Sequence, residues 1–361
     1  MDQSNEQDIK AFLENTARRI DKRVEEYIPR SLDENSQVFS LIPPTYRPNI
    51  EALDKAISEP VWEFLDRGGK RWRPAMFLLV LEALGVDSKK YFDYSIIPEV
   101  IHSGTMIVDD VEDASVLRRG KPCIHRIFGV DIAVNLSNTL FFLPMLVLFK
   151  NKDLVPLERA IRIYEIFIQE MINLSFGQAI DIAWHRDLIP YNLTEKQYIQ
   201  MSIYKSGSLA KMAAKIPAVL ACAEDEVSKS LERIAELIGV SFQIQDDILD
   251  IEGEEFSKGK GGLGMDITEG KKSLIVIHAL KRADSRDKNR LISILGRHTK
   301  DKKLIAEAIG ILKRYGSVDH ARKVAKKMNR ESLEEMDKIL SPSQAKDMLI
   351  ALVHFLFERN L

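Results

Sequence analysis

The chain has 361 residues, 45% hydrophobic and 29% charged, an ordinary globular mix. Its 52 Lys and Arg nearly cancel its 54 Asp and Glu, leaving −2, so no basic excess points to nucleic acid. Only 18 Gly and 13 Pro exclude collagen-like and turn-dense all-β designs, and two cysteines, Cys123 and Cys222, exclude a disulfide framework.

The expectation is a mostly helical protein of a reducing compartment, the cytoplasm. The N-terminus, MDQSNEQDIK, is polar and acidic, unlike a signal or transit peptide. Residues 1–50 read as a peripheral extension that breaks at Pro43, Pro44 and Pro48. Residues 51–361 read as one all-α domain, a large bundle with no linker to divide it.

From Glu51 onward apolar residues recur at helical spacing, first as Leu53, Ile57, Val61, Phe64 and Leu65. Gly68-Gly69 stops that helix, and Pro74 sits near the start of the next, where proline is tolerated. The apolar run Ala75 to Leu84 predicts a helix buried on most sides. Further helices are predicted at about 91–114, 126–150, 157–184, 195–222, 227–251, 271–281, 287–297, 301–315, 317–339 and 343–358. Period-2 alternation, the mark of strands, is missing. The charge-free stretch Ile132 to Phe149 contains Asn135, Ser137, Asn138, Thr139 and Pro144, so it reads as a buried helix and no transmembrane segment is expected.

Two acidic clusters carry the chemistry. Asp109-Asp110-Val111-Glu112-Asp113 and Asp246-Asp247-Ile248-Leu249-Asp250 each place their first and last Asp four residues apart, on one helix face. Such carboxylates repel one another, and in apolar company buried unpaired charge is very costly. A hard divalent ion resolves the conflict; all-oxygen ligands without His or Cys suit Mg²⁺, which shares such sites with phosphate. Basic residues lie beside both clusters. Lys70, Arg71 and Arg73 stand at a helix start, where N–H groups and the dipole favour an anion. Arg118-Arg119-Gly120-Lys121 follows the first cluster, and Lys258, Lys260, Lys271 and Lys272 follow the second. Metal beside Lys and Arg is what a bound diphosphate requires.

With these residues in this order, the chain resembles the trans-type (all-E) isoprenyl diphosphate synthases of the polyprenyl synthetase family, most clearly from Asp66 to Lys272. The motifs are GGKRWRP, His102 seven residues before the first cluster, DDVED followed by RRGKP, the lysine of Tyr204-Lys205-Ser206-Gly207, and FQIQDDILD followed by a lysine-rich loop. The resemblance implies an all-α isoprenoid synthase fold around a deep cavity and a homodimer. It implies about three Mg²⁺ ions per active site, with Mn²⁺ as a substitute. The metal would be held by Asp109, Asp113 and Asp246, with Asp110, Asp247 and Asp250 in support. It implies that Arg118, Lys205, Lys260 and Lys271 grip the allylic diphosphate, with Lys258 a rival to Lys260. Lys70, Arg73, His102 and Arg119 would hold isopentenyl diphosphate, and Ser206 and Gln243 would line the reacting centre. Ser206 departs from the family's usual Thr but keeps the hydroxyl.

The implied reaction condenses isopentenyl diphosphate with an allylic diphosphate by metal-assisted ionisation, carbocation attack and proton loss. Short-chain relatives tend to carry large aromatics four and five residues before the first cluster; here stand Thr105 and Gly104. Ile101 lies one turn deeper, with Phe141, Phe142 and Met145 opposite. Small residues at the first level predict a C20 product, geranylgeranyl diphosphate. The alternatives are a longer polyprenyl or C15 farnesyl diphosphate synthase, a class I terpene cyclase, or a non-catalytic regulatory subunit of a synthase. The intact second Asp cluster and the Lys70/Arg73 pair weigh against the last two.

Overall fold

A computed structural model describes residues 3–39, 43–253 and 262–357. The described residues are almost wholly helical, with one two-stranded hairpin. The chain divides into two compact units. One comprises Met1–Phe167, Met212–Leu231 and Ile339–Phe355, the other Ile168–Lys211, Glu232–Lys338 and Leu356–Leu361.

The first unit opens with α1 (Gln3–Tyr27), whose Ile9, Leu13, Ile20 and Val24 are buried at helical spacing. Short helices α2 (Ile50–Leu53) and α3 (Glu59–Leu65) flank a π turn, Asp54–Ser58, and Asn49 caps α2 through its side chain. Next comes α4 (Trp72–Ala83), in which Trp72 to Leu81 are all buried, as its apolar run predicts. A 3₁₀ stretch, Ser88–Ser95, leads into α5 (Ile96–Glu112), which carries the first acidic cluster at its C-terminal end.

The hairpin β1 (Leu117–Arg118) and β2 (Lys121–Pro122) follows, antiparallel, with Arg118 opposite Lys121. Its loop, Arg119-Gly120, holds both residues at positive φ, the two-residue turn whose twist matches the strands. Strands this short give no readable alternation, so the sequence does not show them. The short α6 (Ile124–Ile127) precedes α7 (Val130–Phe142), which packs on α5. There Gly104 matters: a Cβ on it would lie 3.0 Å from the Phe141 ring and 3.1 Å from Leu140 Cβ.

The span 126–150 differs from the single buried helix expected. A 3₁₀ turn at Leu143–Met145, built on Pro144, separates α7 from α8 (Leu146–Lys150). Val130–Lys150 is apolar and long enough to cross a membrane, yet only 33% of its most apolar 18-residue window is buried. Val130, Val134 and Phe142 are exposed.

Helix α9 (Leu157–His185) begins in the first unit and continues into the second. The second unit then has α10 (Glu195–Ser202), started by a capping box between Thr194 and Gln197. The span 195–222 is not one helix: a π turn, Ile203–Gly207, interrupts it before α11 (Ser208–Leu220). Helix α12 (Asp225–Glu252) carries the second acidic cluster. From Met212 onward α11 belongs to the first unit, as does α18 (Gln344–Phe357) up to Phe355, whereas α13 (Met265–Thr268), α14 (Leu274–Arg282), α15 (Ser285–Leu295), α16 (Lys302–Arg314) and nearly all of α17 (Ser317–Ile339) belong to the second. The core of this unit includes Tyr198, Ile244, Ile248, Leu274, Leu291, Ile294 and Leu312. The π turn is wedged tightly. A Cβ on Gly177 of α9 would lie 2.3 Å from the Lys205 backbone N, and one on Gly239 of α12 would lie 2.7 Å from Gly207 Cα. Two glycines thus let three backbones approach where side chains would keep them apart.

Candidate active site

In the first unit the chain reversal before α4 builds a basic cluster. Arg71 adopts a left-handed conformation at φ +46° and turns its side chain inward. Its guanidinium donates to Asp21 Oδ1 at 2.9 Å, Glu99 Oε1 at 3.0 Å and the Leu65 carbonyl. Arg71 is therefore a buried strut, not one of the anion-facing cations that its place at a helix start suggests. On either side of it, exposed Lys70 lies over the Phe355 ring, and Arg73 stacks on Trp72. Gly69 has no side chain where the Arg71 and Arg119 guanidiniums come within about 3 Å of its would-be Cβ.

Arg119 reaches back from the hairpin loop and donates to the Gly68 carbonyl. Burial, then Arg71, pulls its pKa down to about 10. His102, half-buried on α5, is held well below its ordinary 6.5, first by burial and then by Arg73, Arg119, Arg71 and Arg118. The predicted isopentenyl-binding residues His102, Arg73 and Arg119 thus share one electrostatic environment. A crowd of cations that weakens the protonation of its own members favours an anion among them.

At the C-terminal end of α5, Arg118 Nε donates to Asp110 Oδ1 at 2.9 Å, and its Nη2 lies 3.9 Å from Asp109 Oδ2. Asp110 is 1% exposed, while Asp109 and Asp113 are partly exposed. Thr105 is partly exposed too, its hydroxyl bonded to the His102 carbonyl. Ile101 is fully buried, and the space beside Gly104 is taken by Leu140 and Phe141.

In the second unit Lys205, Ser206, Gln243, Asp247 and Lys271 line one cavity. Lys205 Nζ donates to Asp181 Oδ2 at 2.6 Å. Ser206 Oγ donates to Gln243 Oε1 at 2.7 Å, Gln243 Nε2 to Asp247 Oδ1 at 2.9 Å, and Tyr198 OH to Asp247 Oδ2 at 2.7 Å. Burial, then Asp266, raises the Asp247 carboxyl to about 7 against the pull of these two donors. Asp250 is buried, its Oδ2 accepting from the Asp266 backbone N–H at 3.1 Å, whereas Asp246 is partly exposed. Lys271 pairs with Glu269 at 2.6 Å, and Lys272 with Asp187 at 2.7 Å, over the Tyr191 ring. Lys258 and Lys260 lie outside the described residues.

Asp181 and Tyr198 belong to no motif singled out in the sequence. Their only marks are spacing: Asp181 stands four residues after Gly177, and Tyr198 seven before Lys205. Among the described residues no three His, Cys, Asp or Glu side chains converge on one point. Paired carboxylates remain, hard oxygen donors on one helix face. They fit an ion that takes part of its coordination shell from water and phosphate, as Mg²⁺ does.

The polyprenyl synthetase family pattern matches residues 54–312. The chain belongs to that family. It is 35% identical over 293 residues to a short chain isoprenyl diphosphate synthase of Methanothermobacter thermautotrophicus, covering 81% of this chain and 87% of the relative. It is 34% identical to a geranylgeranyl pyrophosphate synthase of Geoglobus acetivorans, covering 82% and 89%. The crystal structure of a geranylgeranyl pyrophosphate synthetase from Pyrococcus horikoshii is similar at a TM-score of 0.79 and 32% identity, over 96% of this chain and 99% of that one. The all-α isoprenoid synthase fold and the prenyltransferase class expected from the motifs are borne out.

Proposed function

We propose that this polyprenyl synthetase is a trans-prenyltransferase that joins isopentenyl diphosphate to an allylic diphosphate and releases geranylgeranyl diphosphate. The observation that carries the reading is the cavity of the second unit lined by Lys205, Ser206 and Gln243, and the cation crowd around Arg73, His102 and Arg119 in the first unit supports it separately. The C20 length is supported by similarity to enzymes named for that product and by partly exposed Thr105, which has no bulk to stop a chain.

The chemistry follows from the residues. Lys70, Arg73, Arg119 and neutral His102 would hold and orient the isopentenyl diphosphate. Asp109 and Asp113 on α5, and Asp246 and Asp250 on α12, would hold Mg²⁺, with Asp110 and Arg118 steadying the first pair. The metal, when bound, neutralises the leaving diphosphate. Lys205, braced by Asp181, would grip the allylic diphosphate, and the oxygen dipoles of Ser206 and Gln243 would face the positive charge that develops as the allylic C–O bond breaks. The alkene of isopentenyl diphosphate then forms the new C–C bond, and a proton leaves to the released diphosphate. No protein nucleophile takes part.

A homodimer belongs to the same proposal. It is supported by Leu157, Ile161, Tyr164, Ile168, Ile172 and Phe176, all exposed at i, i+4 and i+3 spacing along α9. Sedimentation should give a dimer that Ile168→Glu dissociates; a monomeric wild type would refute it. Free Cys123 and Cys222 support a cytoplasmic setting. The activity is tested by mass spectrometry of the products from dimethylallyl, geranyl and farnesyl diphosphates with isopentenyl diphosphate and Mg²⁺. A C20 end product is expected, and a C15 end product from every primer would overturn the chain length.

A further inference from the structure

Resting on the prenyltransferase reading, we infer that Tyr198 and Asp247 are positioning residues: together they fix which end of the Gln243 amide faces the reacting centre.

A primary amide is ambiguous, since one end donates and the other accepts. At Gln243 the ambiguity bears on the chemistry. If the carbonyl oxygen faces the cavity, its dipole stabilises a carbocation; if the amino group faces it, two N–H donors oppose one. Ser206 does not decide between the two orientations, because a hydroxyl donates or accepts as required. The decision falls to Asp247. With its Oδ2 engaged by Tyr198, Asp247 presents Oδ1 to the amide as an acceptor, and Oδ1 takes the Gln243 Nε2 hydrogen at 2.9 Å, leaving Oε1 to receive Ser206 Oγ at 2.7 Å. A flipped amide would set its carbonyl oxygen against that carboxylate.

Tyr198 then fixes Asp247. Its hydroxyl donates to Oδ2 at 2.7 Å, so both carboxylate oxygens are held by donors from the protein. Tyr198 is 1% exposed and Asp247 5%, so the pair is shielded from water that could replace either bond. The elements make the arrangement rigid. Gln243 and Asp247 lie one turn apart on α12, and Tyr198 belongs to α10, which runs directly into the π turn that bears Ser206. Within its acidic cluster Asp247 therefore acts on the amide, while Asp246 and Asp250 are the residues that would hold the metal.

The test uses full-length enzyme with farnesyl and isopentenyl diphosphates, measuring kcat, both KM values and the Mg²⁺ concentration for half-maximal rate. Tyr198→Phe should lower kcat roughly ten-fold, with KM values and Mg²⁺ half-saturation within about two-fold of wild type. Asp247→Leu should lower kcat roughly a hundred-fold, and adding Tyr198→Phe to it should cost nothing more. Asp247→Asn offers an oxygen to Gln243 and an amino group to Tyr198. It should retain more activity than the leucine variant, again with unchanged Mg²⁺ half-saturation, and it serves if the leucine variant does not fold. A rise of about ten-fold or more in Mg²⁺ half-saturation for Asp247→Asn would make Asp247 a metal ligand and overturn the inference. An unchanged kcat in Tyr198→Phe, or additive losses in the double variant, would overturn it as well. A wild-type enzyme that forms no prenyl product would overturn the functional reading itself, a distinct failure.

Discussion

Replacing Gly177 by Ala places a methyl group where the π turn already lies. The new carbon would stand 2.3 Å from the Lys205 N, 2.7 Å from its Cα and 2.8 Å from the Tyr204 carbonyl carbon. All three are backbone atoms, so no side chain can swing aside. Reaching ordinary contact at 3.4 Å moves the turn by about 1.1 Å, and Lys205 and Ser206 move with it. Overpacking of this kind costs about 1–3 kcal/mol. Alanine returns about 1 kcal/mol of helix propensity in α9. The net loss, about 0–2 kcal/mol, leaves the protein folded and lowers Tm by a few degrees. The effect on rate is larger, since a displacement of about 1 Å in a positioned group costs roughly a hundred-fold. Single-turnover condensation of farnesyl with isopentenyl diphosphate should therefore slow by roughly a hundred-fold, while the KM for isopentenyl diphosphate, whose binding groups stand on other helices, changes by less than about three-fold. A variant that keeps its rate within about three-fold would refute the claim that the turn is held by backbone contact.

Arg71→Ala strands the Glu99 carboxylate, whose side chain is 5% exposed, and should cost about 3–5 kcal/mol in denaturant unfolding. Asp21→Asn should cost less, because Asp21 is 40% exposed; equal losses would show that the buried partner is not decisive. Because the folded state keeps His102 below 6.5, the unfolded chain takes up the proton first as pH falls. The stability from neutral His102 is thus full above 6.5 and declines below it. Unfolding free energies compared between pH 7.5 and 5.5 should fall more for wild type than for His102→Gln, and equal falls would refute the assignment. Thr105→Phe should shift the product from C20 to C15 by mass spectrometry, whereas an unchanged distribution would place the chain-length wall elsewhere.

The helical class and the two acidic clusters are legible because periodicity and charge against apolar context are local properties of the sequence. The inward turn of Arg71 is not: GGKRWRP shows three cations near a helix start, and only the left-handed backbone at φ +46° and the distant Asp21 and Glu99 decide which one is tied into a buried ion pair. The break at Ile203–Gly207 is hidden for a similar reason. Its cause lies in Gly177 and Gly239, on helices remote in sequence, while its own residues read as ordinary helix. Asp181 and Tyr198 are single polar residues on mixed faces, and their meaning comes from Lys205 and Asp247, 24 and 49 residues away. Gly104 shows the opposite difficulty. Its lack of a side chain is plain in the sequence, yet whether that leaves room depends on the Phe141 ring, which packs against it from α7.

The most direct test of the account is a rapid-quench measurement of diphosphate release and carbon–carbon bond formation in the same turnover. With farnesyl and isopentenyl diphosphates and Mg²⁺, each diphosphate released should match one geranylgeranyl diphosphate formed, and chelation of the metal should stop both together. Diphosphate release without incorporation of isopentenyl diphosphate, or a cyclic hydrocarbon as product, would contradict it.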